Sequence, residues 1–309
     1  MSIRELIILG TAAQVPTRER NHNGYFLRWN AQGILFDPGE GTQRQMTYSD
    51  IPASQIFHIA ITHFHGDHCL GLPGVIQRLS LDKAQHPVHV WFPASGQPFF
   101  EAMTHASLYQ NNVELIPHPI DNPGILFKDD VLSISTERLD HRTDCWGYRI
   151  DEPASRSIRM EKLAQYGISG PKVGELKRNG SLTLDDGTTI MLNDVSDERR
   201  GQSFAYVLDT RPCPNAIKLA QNVDILLTEA TYLDSEEKQA HEYMHLTARQ
   251  AAKIALDAGA GKLILTHFSQ RYTGTSEHLA QAREVFPNTF VTRDLDHWPF
   301  PDRIRFQNE

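Results

Sequence analysis

Ile61-Thr62-His63-Phe64-His65-Gly66-Asp67-His68 is the stretch that decides how this chain is read. It sets three imidazoles and a carboxylate within six residues, directly after the apolar run 56–61. A strand ending near Thr62 would deliver His63 and His65 to one side of the following turn, with Asp67 and His68 beside them. Imidazole nitrogen and carboxylate oxygen suit zinc or a similar divalent ion. Two interleaved ligand pairs suit two ions about 3.5–4 Å apart that share one water, the arrangement used to hydrolyse phosphate esters. His86, His89 and His105 lack acidic neighbours and a glycine turn, and read as surface or satisfied core histidines.

A two-ion centre needs further ligands, and strand ends supply them. Apolar runs suited to strands recur at 5–9, 25–29, 33–36, 56–62, 88–92, 131–135, 146–150, 204–208, 224–227 and 263–266. His141 follows one of these runs, and Asp209 and His267 directly end two others. Helical spacing appears at 247–256, where Thr247 and Gln250 have the spacing of a capping box and Ala248, Ala251, Ala252 and Ala255 form an apolar stripe, and again at 277–286. Strands and helices mixed in two similar blocks predict packed sheets with helices outside, an α/β class.

The bulk properties narrow the function. A chain of 309 residues with 40% hydrophobic content can bury a full core, so one large domain spanning 1–309 with an insertion is expected. No apolar stretch approaches the ~20 residues that cross a bilayer, and the start Met1-Ser2-Ile3-Arg4-Glu5 lacks the form of a secretory signal; no membrane partner and a cytoplasmic location are expected. Three cysteines, Cys69, Cys145 and Cys213, with no CxxC pair, exclude a disulfide framework and a thiolate zinc site. With a net charge of −8, a nucleic-acid partner must be held by a local basic patch or by metal. Such a patch exists at 151–179, where Pro153, Pro171, Gly167, Gly170 and Gly174 punctuate the chain and six basic residues outnumber four acidic ones. From composition this segment reads equally as a flexible arm protruding from the domain and as a solvated loop.

Together these motifs resemble the metallo-β-lactamase superfamily, whose HxHxDH motif matches His63-Phe64-His65-Gly66-Asp67-His68. Within it the chain is similar to the ribonuclease Z family, nearly end to end. The markers include Leu9-Gly10-Thr11 with Pro16-Thr17 and Arg20-Asn21, Phe36-Asp37-Pro38-Gly39-Glu40-Gly41-Thr42-Gln43, and Gly71-Leu72-Pro73-Gly74. Later come Gly147-Tyr148-Arg149, Gly170-Pro171 with Gly174 and Leu176-Lys177, Glu229-Ala230-Thr231, His245-Leu246-Thr247-Ala248, and the run from Thr266 to Tyr272. Three departures stand out: Thr228 where the family often has His, Leu208 before Asp209 where it often has Gly, and Pro38 where Cys is common.

The resemblance implies an αββα sandwich and two Zn2+ per subunit. His63, His65 and His141 would hold one ion, Asp67, His68 and His267 the other, with Asp209 bridging. It also implies that Asp67 acts as general base and that Glu229 with His245 forms the acid pair that protonates the leaving oxygen. The implied activity is endonucleolytic removal of the 3′ trailer from precursor tRNA, leaving a tRNA 3′-hydroxyl and a trailer 5′-phosphate. The working form would be a homodimer whose arm grips RNA through Lys172, Lys177 and Arg178, with Thr11, Arg18, Arg20 and Arg271 as further candidates near the acceptor end. The competing readings are a small-molecule phosphodiesterase on the same fold, and an RNA-binding protein with a purely structural metal site.

Overall fold

The computed structural model describes residues 4–301; the ends of the expected 1–309 domain, including Met1 to Ile3, lie outside the described residues. These residues form two compact units, one made of 4–128, 133–150 and 203–301, the other of 129–132 and 151–202.

In the first unit, seven strands make one sheet and seven a second. In chain order the first half of the strands are β1 (Arg4–Gly10), β2 (Gly24–Trp29), β3 (Gln32–Phe36), β4 (Ile56–Ala60), β5 (Val88–Pro93), β6 (Leu115–Ile120) and β7 (Gly124–Lys128). The others are β8 (Ser133–Arg138), β9 (Trp146–Asp151), β10 (Ser203–Val207), β11 (Ile225–Glu229), β12 (Leu263–Thr266), β13 (Thr289–Val291) and β14 (His297–Pro299). The first sheet has the order β14-β1-β2-β3-β4-β5-β6, the second β13-β12-β11-β10-β9-β8-β7. Strands β3 to β6 run parallel, as do β10 to β13 in their order in the second sheet.

The sheets meet through a buried aromatic layer, in which the Phe36 ring lies 5.8 Å from Phe204 and 4.7 Å from Tyr206, and Tyr25 lies 5.4 Å from Tyr206. Helices cover the outer faces. Thr42–Tyr48, Leu72–Leu81 and Gln97–Thr104 pack on the first sheet through Met46, Val75, Ile76 and Phe100. On the second sheet, Pro214–Ala220 and Ala248–Ala258 bury their alanine and leucine faces, and Ser276–Arg283 contributes Ala282. This is the αββα sandwich. Among the described residues no helix is long and apolar enough to cross a membrane.

The expected strands form with shifted ends, for identifiable reasons. The run read as 56–62 leaves the ladder at Ala60, because Thr62 donates both its N–H (2.7 Å) and its hydroxyl (2.8 Å) to the Asp37 carboxylate. The helix read as 247–256 spans Ala248–Ala258, with Thr247 capping it in a reciprocal box with Gln250.

The long segment of the second unit begins at the Asp151 expected for the arm and continues to Gln202, beyond the expected end at 179. It is ordered by a small core of its own, formed by Leu163, Ile168, Leu176, Leu182, Ile190 and Val195. Ser155–Ile158 pairs antiparallel with Ser196–Arg199, and between them lie the helices Met160–Gln165 and Pro171–Asn179 and a hairpin of Ser181–Thr183 with Thr189–Met191. Residues 180–202 belong to the unit because they supply Leu182, Ile190 and Val195, half of these six buried core residues. Lys172, Lys177 and Arg178 are all exposed on the second helix, and Lys172 also pairs with Asp185 at 3.6 Å.

Candidate metal centre

The centre forms where parallel strands of both sheets end. Past β4, the single helical turn Gly66–Cys69 opens at His65 and presents Asp67 and His68, while His63 and His65 project from the loop before it. In the second sheet β10, β11 and β12 are adjacent, with Val207 paired to Thr228 and Glu229 to Thr266, so that Asp209, Glu229 and His267 emerge side by side. Ligand placement at the carboxyl ends of parallel strands is the general habit of α/β sheets. Asp209 (φ 55°), His267 (φ 57°) and Asp37 (φ 42°) all adopt left-handed backbone, each at a cost of order 1–3 kcal/mol that the surrounding structure sustains.

The ligand atoms converge as His63, His65, His141 and Asp209, then Asp67, His68 and His267; a third set, Asp209, His245 and His267, overlaps both. His65 Nδ1 lies 2.8 Å from His63 Nε2 and 3.5 Å from His141 Nε2. Asp209 stands between the groups. Its Oδ2 is 3.6 Å from His63 Nε2 and 3.4 Å from His68 Nε2, and its Oδ1 is 3.4 Å from His267 Nε2. Asp67 Oδ2 is 3.4 Å from His68 Nε2 and 3.6 Å from His267 Nε2.

Several buried nitrogen lone pairs facing one another and two carboxylates need positive charge between them. Burial, reinforced by neighbouring imidazoles, pushes His63 and His65 below the ordinary histidine range, and burial does the same to His141, so these three are neutral and free to ligate. Asp209 Oδ1 and His267 Nε2 are buried without a hydrogen-bond partner, the state expected of atoms whose natural partner is a cation. The donor set therefore fits divalent ions with nitrogen and oxygen preference.

Four of the histidines are oriented by a second contact through Nδ1. His68 Nδ1 lies 2.8 Å from Asp37 Oδ2, His267 Nδ1 2.9 Å from Thr231 Oγ1, His63 Nδ1 2.9 Å from Thr62 Oγ1 and His141 Nδ1 3.2 Å from the Met244 carbonyl. With Nδ1 so engaged, Nε2 is the ring nitrogen turned to the centre. Asp37 is fully buried and also accepts the Tyr206 hydroxyl at 2.8 Å. Gly39, two residues on, has no room for a side chain: a Cβ there would stand 2.2 Å from the Asp67 carbonyl.

Comparison with known proteins agrees with this geometry. Family models match in two stretches, a beta-lactamase superfamily domain over residues 195–268 and the anti-Pycsar protein Apyc1 over residues 4–112. Ribonuclease Z of Nocardia farcinica is 52% identical over 98% of this chain and 100% of its own length, and ribonuclease Z of Streptomyces coelicolor is 48% identical over the same shares. The chain belongs to the ribonuclease Z family. Among solved structures, human tRNase Z, short form, matches with a TM-score of 0.68 at 25% identity, covering 96% of this chain and 99% of its own. The Bacillus subtilis metallo-beta-lactamase fold protein YhfI matches at the same TM-score of 0.68 and 16% identity, covering 97% of this chain and 100% of its own, a likeness of fold.

In this ribonuclease Z family chain all seven expected ligands lie together, and Glu229 and His245 lie against them. His245 Nδ1 is 3.0 Å from Glu229 Oε2, and the ring centroid is 5.4 Å from His141 and 5.5 Å from His267. Glu229, fully buried, accepts further bonds from Thr210 N–H (2.7 Å), the Thr231 hydroxyl (2.6 Å) and Leu246 N–H (3.1 Å). Burial opposes a charge on His245, but Glu229 and then Asp209 outweigh it and hold its pKa up at about 9. Thr228, in the place of the family's frequent His, is buried with an unpartnered hydroxyl, so the pair's support comes from Thr210, Thr231 and Leu246 instead.

A cleft of about 410 Å³ opens over His65, His141 and His245 and is walled by Tyr232, Arg142 and Arg271. Arg271 lies 5.1 Å over the Tyr232 ring and Arg142 5.2 Å over Tyr243, which places two cations at the mouth. His86, His89 and His105 stand apart from the centre; His86 bonds the Ser54 carbonyl, His89 bonds His118, and His105 bonds the Glu101 carbonyl. The sequence reading assigned no role to Asp37, Thr62, Thr231 or Asn23. Asp37 and Thr231 sit inside two of the motifs that carried the family resemblance, and that was the signal available for them.

Proposed function

We propose that this protein is a zinc-dependent endoribonuclease that removes the 3′ trailer from precursor tRNA. The observation that carries the reading is the paired ligand set beside a buried carboxylate–imidazole couple at the floor of an arginine-rimmed cleft. His63, His65 and His141 would hold one Zn2+, Asp67, His68 and His267 the other, with Asp209 shared between them. When bound, the ions supply Lewis-acid polarisation of the scissile phosphate and a nucleophilic water near neutral pH.

The chain's own groups then handle the protons. Asp67, whose Oδ2 is fixed by the Gln14 N–H at 3.1 Å, takes the proton of the attacking water. His245, kept protonated by Glu229, gives a proton to the departing ribose 3′ oxygen as the P–O3′ bond breaks. The products are a tRNA 3′-hydroxyl and a trailer 5′-phosphate. Arg142 and Arg271 hold the flanking phosphates, and Lys172, Lys177 and Arg178 contact the tRNA body through its backbone. On the family resemblance we take the working form to be a cytoplasmic homodimer in which one subunit's arm serves the other's site.

Incubation of the zinc-loaded protein with end-labelled precursor tRNA tests the reading. Cleavage at the trailer junction that a chelator stops, with a 3′-hydroxyl on the tRNA, is the expected result. Failure to cut any precursor tRNA, or a 3′-phosphate product, would refute it.

A further inference from the structure

Asp67 is held by a loop that itself hangs from a carboxylate at the far end of the sequence. The segment from Thr11 to Asn23 leaves β1 and returns to β2. Its two ends are tied together by Thr11 N–H and Ala12 N–H donating to the Asn21 carbonyl at 3.1 and 3.0 Å. At Gly10 the returning chain passes so close that a Cβ would stand 1.7 Å from the His22 carbonyl oxygen. Gln14, in left-handed backbone at φ 60°, donates its N–H to Asp67 Oδ2 at 3.1 Å, and its carbonyl oxygen lies 3.0 Å from His22 Nε2. Asn23 Nδ2 is 3.4 Å from the same Asp67 oxygen. The loop thus grips one oxygen of Asp67 from both ends.

The root of the loop is fastened by Asp294. Its Oδ1 accepts the Thr11 hydroxyl at 2.8 Å, and its Oδ2 accepts Asn21 N–H at 2.6 Å and Gln45 Nε2 at 3.3 Å. A carboxylate can accept from all three donors, whereas an amide in its place would turn an NH2 toward one of them. The contact connects residues 283 positions apart and lies just before β14. No short-range propensity would form it.

We propose that Asp294 is a positioning residue for Asp67. By fixing Thr11 and Asn21 it sets where the Gln14 N–H lies, and so where Asp67 Oδ2 is held, the oxygen that also faces His68 and His267 Nε2. This rests on the reading of Asp67 as ligand and base given above. The loop also walls two spaces, the cleft through Ala13, Gln14 and Val15, and a neighbouring cavity of about 710 Å³ through Thr17 to Arg20. A loop that served only to contact RNA would change substrate affinity. One that orients Asp67 changes turnover and metal retention.

The test is steady-state kinetics of full-length, zinc-loaded Asp294→Asn and Thr11→Val on precursor tRNA and on bis(p-nitrophenyl) phosphate, with zinc release to a chelator measured in parallel. Asp294→Asn is expected to lower kcat on both substrates by ~10-fold and to speed zinc loss similarly, the low end for mutating a residue behind a metal ligand. KM should stay within about twofold of wild type, because no substrate contact is removed. Thr11→Val, which deletes one of the three donors without changing shape, should move both readouts the same way by less, and it carries the test if Asp294→Asn does not fold. Unchanged kcat and zinc retention in both variants, or a rise confined to the KM for precursor tRNA, would overturn the proposal. Should wild type hydrolyse the aryl diester but leave precursor tRNA intact, the substrate reading fails while the positioning test is still read on the aryl diester.

Discussion

Replacing Glu229 by Gln removes one charge and leaves the shape. The carboxylate is the foremost of the groups that lift His245 to about 9 against a burial that works in the other direction. Without it, burial acts against Asp209 alone, and the imidazole returns to the ordinary range near ~6.5 or below. A raised pKa keeps the group protonated below the ordinary value and releases the proton only as pH climbs past the raised one, so the alkaline limb of the activity profile moves to lower pH with the substitution. At pH 7.5 a group titrating at ~9 is ~97% protonated and one at ~6.5 only ~10%, which predicts a ~10-fold loss of kcat at that pH that is largely recovered near pH 6.

The assay is the pH–rate profile of wild type and Glu229→Gln on precursor tRNA, repeated on bis(p-nitrophenyl) phosphate. A nitrophenolate departs without protonation, so the aryl substrate should lose little. The same variant also loses charge-assisted bonds from Thr210, Thr231 and Leu246, so its melting temperature is measured alongside. A loss that is equal on both substrates, or that does not vary with pH, would refute the assignment of His245 as the acid set by Glu229.

Three further outcomes follow from the geometry. Gly39→Ala places a methyl group 2.2 Å from the Asp67 carbonyl, so the metal-binding loop must shift; a destabilisation of about 1–3 kcal/mol by denaturant titration and weaker zinc retention are expected. Asp37→Asn takes the anionic acceptor from His68, Thr62 and Tyr206, and zinc affinity by competitive titration should fall ~10- to 100-fold. Replacing residues 153–201 with a short glycine–serine linker should abolish cleavage of precursor tRNA and leave hydrolysis of the aryl diester within about threefold; intact tRNA cleavage would remove the arm from substrate binding.

The metal-ligand set was legible because its chemistry is written locally. Four ligands lie within six residues after one apolar strand, and Asp209 and His267 directly follow apolar runs whose parallel ladders set them adjacent. The supports were not legible in the same way. Asp37 reaches His68 across 31 positions and Asp294 reaches Thr11 across 283, and nothing in composition or periodicity announces a contact of that span. Strands β6 and β7 were missed because Pro117, Pro119 and Gly124 break the apolar pattern at the sheet edge, where proline is tolerated. The ordered core of residues 151–202 was missed for a related reason. Its helices are only six and nine residues long and are held by a few leucines and isoleucines, too few per turn to stand out against glycine and proline.

Metal content measured on enzyme that is turning over is the most direct test of the central claim. Inductively coupled plasma mass spectrometry of protein purified without chelator, with trailer cleavage assayed on the same sample, should find two zinc ions per chain and activity that falls in step as they are removed and returns when zinc is restored. A preparation that processes precursor tRNA at full rate while holding less than one divalent ion per chain would contradict it.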